Sequence, residues 1–238
     1  MEHSYAIGAV FLGGLALASG SVQAAPQPPL TVVELFQSQG CSDCPPANAN
    51  VMALSDRPDL LTLSFGVTYW DQLGWKDTFA SPQYTARQWD YARALHHSEV
   101  YTPQVIVNGG ADITGRNKAE LESLIRRETN LIAPPLGIDA SKVHVGEDVT
   151  VRMTNAKGVH YDVWLVRFDP RIENVPIARG ENGGLTLPHK NVVKQLVKLG
   201  VWSGTAVDFP LPAATQAGLK DAVLVQKGPG GAIVAAAR

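Results

Sequence analysis

The amino-acid sequence predicts an α/β domain followed by a β-rich domain. Strand and helix patterns alternate from residue 31 to residue 131, and strand patterns dominate the rest of the chain. Between the two regions, Pro134 and Pro135 block helix continuation and favour extended backbone, as a linker would. We therefore expect an α/β domain over residues 25–133 and a β-rich, sandwich-like domain over residues 134–238.

Composition narrows the class of protein. The 238 residues include 20 Lys and Arg and 22 Asp and Glu, a formal net charge of -2, which excludes an electrostatic nucleic-acid binder. Hydrophobic residues make up 45% and charged residues 18%, which is typical of a globular chain. The chain has two cysteines, so we expect neither a disulfide-stapled miniprotein nor a Cys-rich zinc module.

The first 24 residues are predicted to be a secretory signal peptide. Residues 6–18 form an uncharged apolar run of about 13 residues, too short for a transmembrane helix, which needs roughly 20. Val22-Gln23-Ala24 supplies a cleavage site. No Lys or Arg precedes the run, so an internal start or an uncleaved anchor stays open. Cleavage predicts a periplasmic or secreted protein with no later membrane segment and with its cysteines in an oxidising compartment.

The first region is predicted to form a mixed sheet flanked by helices. Its strand patterns lie at residues 31–36, 60–67 and 104–107, with a return strand at 111–114. Its helix patterns lie at residues 45–54 and 84–97 and after Asn117. Asn117 is a good N-cap, since Glu120 follows three residues later. Parallel strands need crossover helices, which cover the sheet on both faces.

The second region is predicted to form a β-sandwich of about 100 residues. Its strand patterns lie at residues 142–145, 149–154, 160–168, 196–201, 206–211 and 222–227. Residues 179–191 differ from these, because glycines, asparagines and a histidine do not make a core strand. This segment is either a long hairpin or a loop that reaches across to the first domain, where Arg179 or His189 could stabilise a thiolate.

Cys41-Ser42-Asp43-Cys44 is the strongest chemical signal in the chain. The motif follows a predicted strand and opens a predicted helix, whose free N–H groups and partial positive charge favour a thiolate on Cys41. The two-residue spacer lets Cys44 reach back to Cys41. Cys41 can then attack a disulfide, and Cys44 can resolve the mixed disulfide that results.

A second motif supports the first. Thr102-Pro103 stands just before a predicted strand, where proline is unusual unless it makes a special turn such as a cis X-Pro bond. A CxxC at a strand-to-helix junction together with Thr-Pro before a strand resembles the thioredoxin superfamily. That resemblance implies a thioredoxin-like first domain in which Cys41, Cys44 and Pro103 meet in space and form the catalytic group.

Longer segments narrow the resemblance to one family. The chain is similar to a secreted bacterial thioredoxin-like family, classified as a domain of unknown function, in FQSQGCSDCPPAN, TYWDQLGWKDTFASPQYTARQWDYA, VYTPQVIVNG and ARGENGGLTLPHKNVV. The resemblance covers about residues 30–235. It departs from thioredoxin itself in three ways: the CxxC interior is Ser-Asp, no Trp precedes Cys41, and an aromatic insertion follows the second strand. We expect Thr102, Trp70 and Trp75 to line the substrate groove.

Two residues near the motif carry further expectations. The carboxylate of Asp43 disfavours a nearby thiolate, which predicts a Cys41 less acidic than in strongly oxidising relatives. Glu34, in the first strand, either relays protons at the site or points into solvent.

Other uses of the cysteines stay open. A structural disulfide is one, although so short a loop gains little stability from it. Metal binding is another, because two thiolates and a histidine from His96-His97 or His189 could hold copper(I) or zinc. The favoured interpretation needs no metal and no cofactor.

The sequence therefore predicts a thiol–disulfide oxidoreductase that acts on a protein thiol or disulfide partner. The alternative is a thioredoxin-like copper-binding or partner-binding protein without turnover. The oligomeric state stays open.

Overall fold

A computed structural model describes residues 1–3, 29–131, 143–146, 148–151, 158 and 160–238. The predicted signal peptide, apart from its first three residues, lies outside this part of the chain, and so does the proline pair at the predicted domain boundary. The three helices are α1 (Cys44–Leu54), α2 (Pro82–Ala94) and α3 (Lys118–Leu131). Among the described residues, no helix is long and apolar enough to cross a membrane.

Thirteen strands are described. They are β1 (Thr31–Gln37), β2 (Leu60–Gly66), β3 (Gln104–Val107), β4 (Ala111–Ile113), β5 (Val143–Val145), β6 (Asp148–Val151), β7 (Tyr161–Asp169), β8 (Glu173–Pro176), β9 (Thr186–His189), β10 (Val192–Trp202), β11 (Val207–Pro210), β12 (Lys220–Gln226) and β13 (Ile233–Ala237).

One mixed sheet of eight strands organises the molecule, in the order β13-β12-β7-β10-β2-β1-β3-β4. β1 pairs with β2 in parallel and with β3 antiparallel. Strands from both predicted regions share this sheet, because β10 joins β2 through Val192 and Ser64. Every residue of β1 and β2 is buried, as expected for strands covered on both faces. The fold is therefore a mixed α/β structure with one large sheet and few helices.

The alternation of side chains along β1 separates two cores. Val33 and Leu35 pack with Ala47 of α1 and Leu121 of α3 in one cluster. Their neighbours Val32 and Phe36 belong to the opposite cluster, together with Tyr84 and Tyr91 of α2. Because successive side chains of a strand point to opposite faces, α1 and α3 cover one face of the sheet and α2 covers the other.

Two small sheets complete the fold. β11, β6 and β5 form a three-stranded sheet, and its Val149 and Val151 pack in a third cluster with Trp202 and Tyr161 of the large sheet. β8 and β9 form an antiparallel hairpin in which Glu173 lies opposite His189. The segment at residues 179–191 thus contains a hairpin strand and the loop that precedes it.

Four differences from the predicted elements have local causes. The second helix ends at Ala94, not at residue 97, because His96 adopts a left-handed backbone with φ of 62°. β8 and β9 are short, half-exposed strands that contain prolines, and β13 is mostly alanine, so these three carry weak strand patterns.

Glu34 lies in the core, not at the cysteines and not in solvent. Its carboxylate accepts hydrogen bonds from Arg87 at 2.8 and 3.2 Å and from the Tyr91 hydroxyl, and Arg87 also donates to Gln226 at 3.1 Å. Glu34 is fully buried and Arg87 is 5% exposed. A buried ion pair with its hydrogen bonds satisfied is costly to break from one side.

We expect Arg87→Met to lower the free energy of unfolding by about 3–5 kcal/mol, because it leaves the Glu34 charge buried and unpaired. Removing both charges in Glu34→Met/Arg87→Met should recover part of this loss. Chemical denaturation followed by tryptophan fluorescence measures both effects. Arg93→Ala, which breaks an exposed ion pair with Asp90, is the control and should cost less than about 1 kcal/mol. Equal losses for Arg87→Met and Arg93→Ala would contradict this role of the core pair.

Candidate functional site

Cys41 and Cys44 lie where the loop after β1 enters α1. The backbone N–H of Cys41 donates to Ser38 O, and that of Cys44 donates to Cys41 O, both at 3.1 Å. Prolines at the first helical positions, Pro45 and Pro46, lack N–H groups and cost the helix no bond there. Both cysteines are free thiols, 1% and 2% exposed. The motif therefore forms a tight, buried turn at the helix N-terminus.

The two thiols differ sharply in acidity. The pKa of Cys41 is lowered to about 7, first because the Cys44 thiol donates a hydrogen bond to its sulfur. The side chain of Thr102 and the N–H groups of Asp43 and Cys44 act in the same direction, against the effect of burial. Burial and the neighbouring Cys41 sulfur raise the pKa of Cys44 above its usual range. Cys41 is thus the more acidic thiol, and Cys44 is the one that stays protonated at neutral pH.

The residues before β3 complete one wall of the site. The Thr102–Pro103 peptide bond is cis, as the sequence predicts. Cys41 Sγ lies 3.7 Å from Thr102 O, so the structure brings together residues 61 positions apart in sequence. Pro103, next to Thr102, is buried.

The segment between β2 and α2 is hydrogen-bonded to the turn before the cysteines. Trp75 Nε1 donates to Gln39 Oε1 at 2.9 Å, and the N–H of Gln39 donates to Asp77 at 2.7 Å. Burial raises the pKa of Asp77 to about 6. Trp75 thus flanks the motif, whereas Trp70 packs against the main core cluster. Gln39 and Asp77 were not predicted as site residues.

Tyr69 brings a polar group to the same place. Its hydroxyl lies beside Gln88 and Thr102, and burial raises the pKa of Tyr69 above its usual range, with the two cysteine sulfurs adding to the effect. Tyr69 Oη, Gln88 Oε1 and Thr102 Oγ1 are buried without a hydrogen-bond partner. These three atoms lie close to one another and to the thiols without a well-formed hydrogen bond, so they offer polar contacts to a molecule held there. The crowding of aromatics in the sequence was the only signal for Tyr69.

The loop between β8 and β9 reaches the cysteines, one of the two expectations for residues 179–191. Asn182 Nδ2 donates to the carbonyls of Gln39 and Cys41, each at 2.9 Å. The Glu181 carboxylate accepts from Ser42 N at 3.0 Å and from Ser42 Oγ at 2.7 Å, which lowers the pKa of Glu181. The contacts come from Glu181 and Asn182, not from Arg179 as the sequence suggested.

The carboxylate of Asp43 is not among the main causes of the shift in the Cys41 pKa, and a pKa of about 7 does not contradict the expected limit on the acidity of Cys41. The Asp43 carboxylate is paired with Arg116 at 3.1 Å, with both side chains more than half exposed. The backbone N–H of Asp43, by contrast, helps to lower the pKa of Cys41. A solvated, paired carboxylate repels a nearby thiolate weakly, which is why the hydrogen bonds outweigh it.

A cavity of about 230 Å³ lies on the other side of Cys44. Its walls are Gln37, Ser38, Cys44, Pro45, Asn48, Ala49, Leu187, Pro188 and His189. His189 comes from β9, so the second region of the chain forms part of this wall as well.

The histidines considered as metal ligands have different surroundings. His97 Nε2 lies 2.9 Å from Asp112, and His189 lies in the hairpin. Within the described ranges, no group of three or more His, Cys, Asp or Glu residues is arranged to hold a metal ion.

Comparison with solved structures identifies two similar folds. A crystal structure of an Agrobacterium tumefaciens protein from a structural genomics programme is 32% identical, with a TM-score of 0.69, and the match covers 87% of this chain and 92% of that chain. HBP35 of Porphyromonas gingivalis is 12% identical, with a TM-score of 0.55, and the match covers 88% of this chain and 74% of that chain. At this low identity the similarity shows a shared fold alone. A comparison with curated proteins gave no significant match.

The Agrobacterium protein and this chain share their architecture over nearly the full length of both. Residues 32–226, which run from β1 through β12 and include both cysteines, match the family described as protein of unknown function (DUF1223), and the chain belongs to that family.

Proposed function

We propose that this protein is a thiol–disulfide oxidoreductase in which Cys41 is the attacking sulfur and Cys44 the resolving one. The observation that carries the proposal is the split in acidity within one buried pair. A pKa of about 7 makes a large fraction of Cys41 thiolate at neutral pH, while Cys44 stays protonated and donates to it. A structural cysteine pair has no need of such asymmetry.

The proposed reaction consists of two successive thiol–disulfide exchanges. The Cys41 thiolate attacks one sulfur of a substrate disulfide, the substrate S–S bond breaks, and one thiolate leaves and takes up a proton from water. Cys44 then loses its proton to water and attacks the Cys41 sulfur. The Cys41–Cys44 disulfide forms and the second substrate thiol leaves. The substrate gains two electrons and the cysteine pair loses them; the reverse sequence oxidises a substrate dithiol.

Substrate access requires movement. Cys41 is 1% exposed, and the turn that carries it is held by Asn182 on one side and, through Gln39, by Trp75 on the other. A disulfide must displace part of this cover to reach Cys41 Sγ. Once there, it meets Thr102 and the hydroxyl of Tyr69, and Trp75 flanks the turn, which supports roles for Thr102 and Trp75 in binding. Trp70 is partly buried and packs against the core cluster.

A thioredoxin-like first domain, residues 25–133, belongs to the same proposal. Its support is the cysteine turn between β1 and α1, the Thr102–Pro103 bond before β3, and helices on both faces of the sheet. Residues 134–238 would then form the β-rich domain, sharing its sheet with the first. A periplasmic or secreted location, with a protein thiol or disulfide as partner, follows from the predicted signal peptide and the reactive pair.

We expect Cys44→Ser to accumulate a mixed disulfide on residue 41, because the resolving sulfur is gone, and Cys41→Ser to accumulate none. Intact-mass spectrometry after incubation with oxidised glutathione distinguishes the two. The wild-type couple, equilibrated in glutathione buffers, should have a reduction potential above roughly -230 mV. A value below about -300 mV would contradict a labile pair. Stoichiometric copper(I) binding lost in Cys41→Ser, without turnover, would favour the metal-binding alternative.

The alkylation rate of Cys41 by iodoacetamide should rise with pH around a midpoint of about 7. In Cys44→Ala the midpoint should move toward the value of about 8.5 for a free cysteine, because the main hydrogen-bond donor to the thiolate is lost. Cys44→Ser keeps a hydroxyl donor and should move it less. A midpoint that is the same in all three proteins would show that Cys44 does not set the acidity of Cys41.

Asn182→Ala should lower the free energy of unfolding by about 1–3 kcal/mol, because the buried carbonyls of Gln39 and Cys41 lose their shared donor. The same change should speed alkylation of Cys41, since the turn is freed on one side. Glu181→Gln is the control: at this exposed position it keeps an amide oxygen that can accept from Ser42, so it should change the unfolding midpoint much less than Asn182→Ala. Alkylation of Cys41 at the wild-type rate in Asn182→Ala would argue against the loop as a cover.

A further inference from the structure

The cavity beside Cys44 contains a buried polar group that the scheme above does not use. His189 lines this cavity together with Cys44 and is 3% exposed. Its Nε2 atom has no hydrogen-bond partner among the described residues. Buried polar atoms without partners are uncommon in folded proteins and cost stability. The unpartnered Nε2 atom of His189 therefore needs an explanation.

The surroundings of the ring indicate where its hydrogen lies. Gln37 Nε2 is 3.4 Å from His189 Nδ1. An amide nitrogen donates and does not accept, so a hydrogen on Nδ1 would face the amide hydrogens, and the neutral ring therefore carries its hydrogen on Nε2. Burial, aided by the positive charge of Lys194, lowers the pKa of His189 to about 4. The ring is therefore neutral at pH 7, with an N–H donor that has no acceptor.

The charges around the ring are few. Lys194 of β10 is paired with Glu173 of β8 at 2.7 Å, and Glu173 lies opposite His189 in the hairpin. From the segment before α2, the ring meets the edge of Phe79, which has no charge. Of the residues that line the cavity, Cys44 is the one other ionisable group. A negative charge formed on Cys44 therefore shares the cavity with His189 and with no other ionisable side chain of the cavity wall.

The two side-chain amides on the cavity wall are already engaged, and the backbone N–H of Ser38 already donates to the Cys44 sulfur. Gln37 Nε2 donates to Asn48 Oδ1 at 3.1 Å and to Ser64 Oγ at 2.6 Å. Asn48 Nδ2 donates to Pro188 O at 2.6 Å. Pro45 and Ala49 offer no polar side chain. Of the two wall amides and the imidazole, the Nε2–H of His189 alone is uncommitted.

We propose that His189 is the hydrogen-bond donor that stabilises the thiolate of Cys44 during resolution of the mixed disulfide. The inference rests on the proposed function and names a further residue for its second step. In that step the Cys44 S–H bond breaks and its proton passes to water. The Cys44–Cys41 bond forms, the bond from Cys41 to the substrate sulfur breaks, and the substrate leaves as a thiolate that is protonated by water.

The Nε2–H group of His189 stabilises the thiolate of Cys44 more than it stabilises the neutral thiol. While Cys44 is a neutral thiol, its sulfur is a poor acceptor and gains little from the Nε2–H group. When the sulfur becomes an anion in a buried site, a preorganised donor stabilises it without reorganisation. His189 acts by donating and not as a base, because an imidazole with a pKa of about 4 holds a proton poorly.

The test separates the two steps with a small probe. Methyl methanethiosulfonate converts the Cys41 thiolate to a methyl mixed disulfide and releases methanesulfinate; attack by Cys44 then releases methanethiol and leaves the internal disulfide. Quenched-flow mass spectrometry of the full chain follows both species. We expect His189→Phe, which keeps a ring against Phe79, to leave the first step unchanged and to slow the second by about 10- to 100-fold.

His189→Gln restores a donor near the Nε2 position and should recover most of the resolution rate. A thermal melt provides the second readout: His189→Phe should be no less stable than the wild type, because it removes an unpartnered polar atom. Resolution at the wild-type rate in His189→Phe, or no recovery in His189→Gln, overturns the inference while the proposed function stands. Absence of any mixed disulfide on Cys41 of Cys44→Ser overturns the proposed function itself.

Discussion

The junction between β9 and β10 is the interaction on which the assembled site depends. Asn191 adopts a left-handed backbone there, with φ of 53°, and its side chain donates to Thr62 O at 3.0 Å and to Thr62 Oγ1 at 2.8 Å. Its carbonyl accepts from Ser64 N at 3.0 Å. These bonds fasten the second region to β2. β8 and β9 lead directly into this junction, so the bonds made by Asn191 also hold the hairpin and its loop over the cysteine turn.

The two sides of the cysteine turn receive different groups from that hairpin. On the Cys41 side, Asn182 and Glu181 satisfy backbone groups of the turn and hold it closed. On the Cys44 side, His189 lines the same cavity as Cys44, and its Nε2 atom has no hydrogen-bond partner in the described part of the chain. The turn is thus held rigidly on the Cys41 side, and a cavity lies on the Cys44 side, where the proposed scheme requires the sulfur of Cys44 to become an anion.

Unpaired polar atoms cluster where the chemistry is proposed. Apart from Glu173 Oε1, which is paired with Lys194, six buried side-chain atoms of the described residues lack a partner, and four of them belong to Tyr69, Gln88, Thr102 and His189, in the neighbourhood of the cysteine pair. A folded chain normally satisfies such atoms, and departures from that rule concentrate at functional positions. This distribution supports a binding and reaction site more strongly than the cysteines do alone, since a buried structural pair would need none of these atoms.

What the sequence predicts well is local, and what it misses is long-range. The cysteine turn, the Thr102–Pro103 bond and the Asn117 cap depend on neighbours within a few residues; the cap is observed, with Asn117 accepting from the N–H of Ala119 at 2.9 Å. Glu181 and Asn182 contact a turn about 140 residues earlier, and no pattern within their own segment specifies that partner. Glu34 and Arg87 are likewise separated by 53 residues, so the sequence gives no measure of their burial.

These long-range contacts change how the β-rich part of the chain is to be understood. A domain that only accompanied a complete thioredoxin-like unit would leave the cysteine turn satisfied by its own residues. Here the carbonyls of Gln39 and Cys41 obtain a donor from Asn182, and the N–H of Ser42 obtains an acceptor from Glu181. The first region is therefore incomplete at its most reactive point without the second. Selection for reactivity at Cys41 would act on the hairpin as directly as on the CxxC motif.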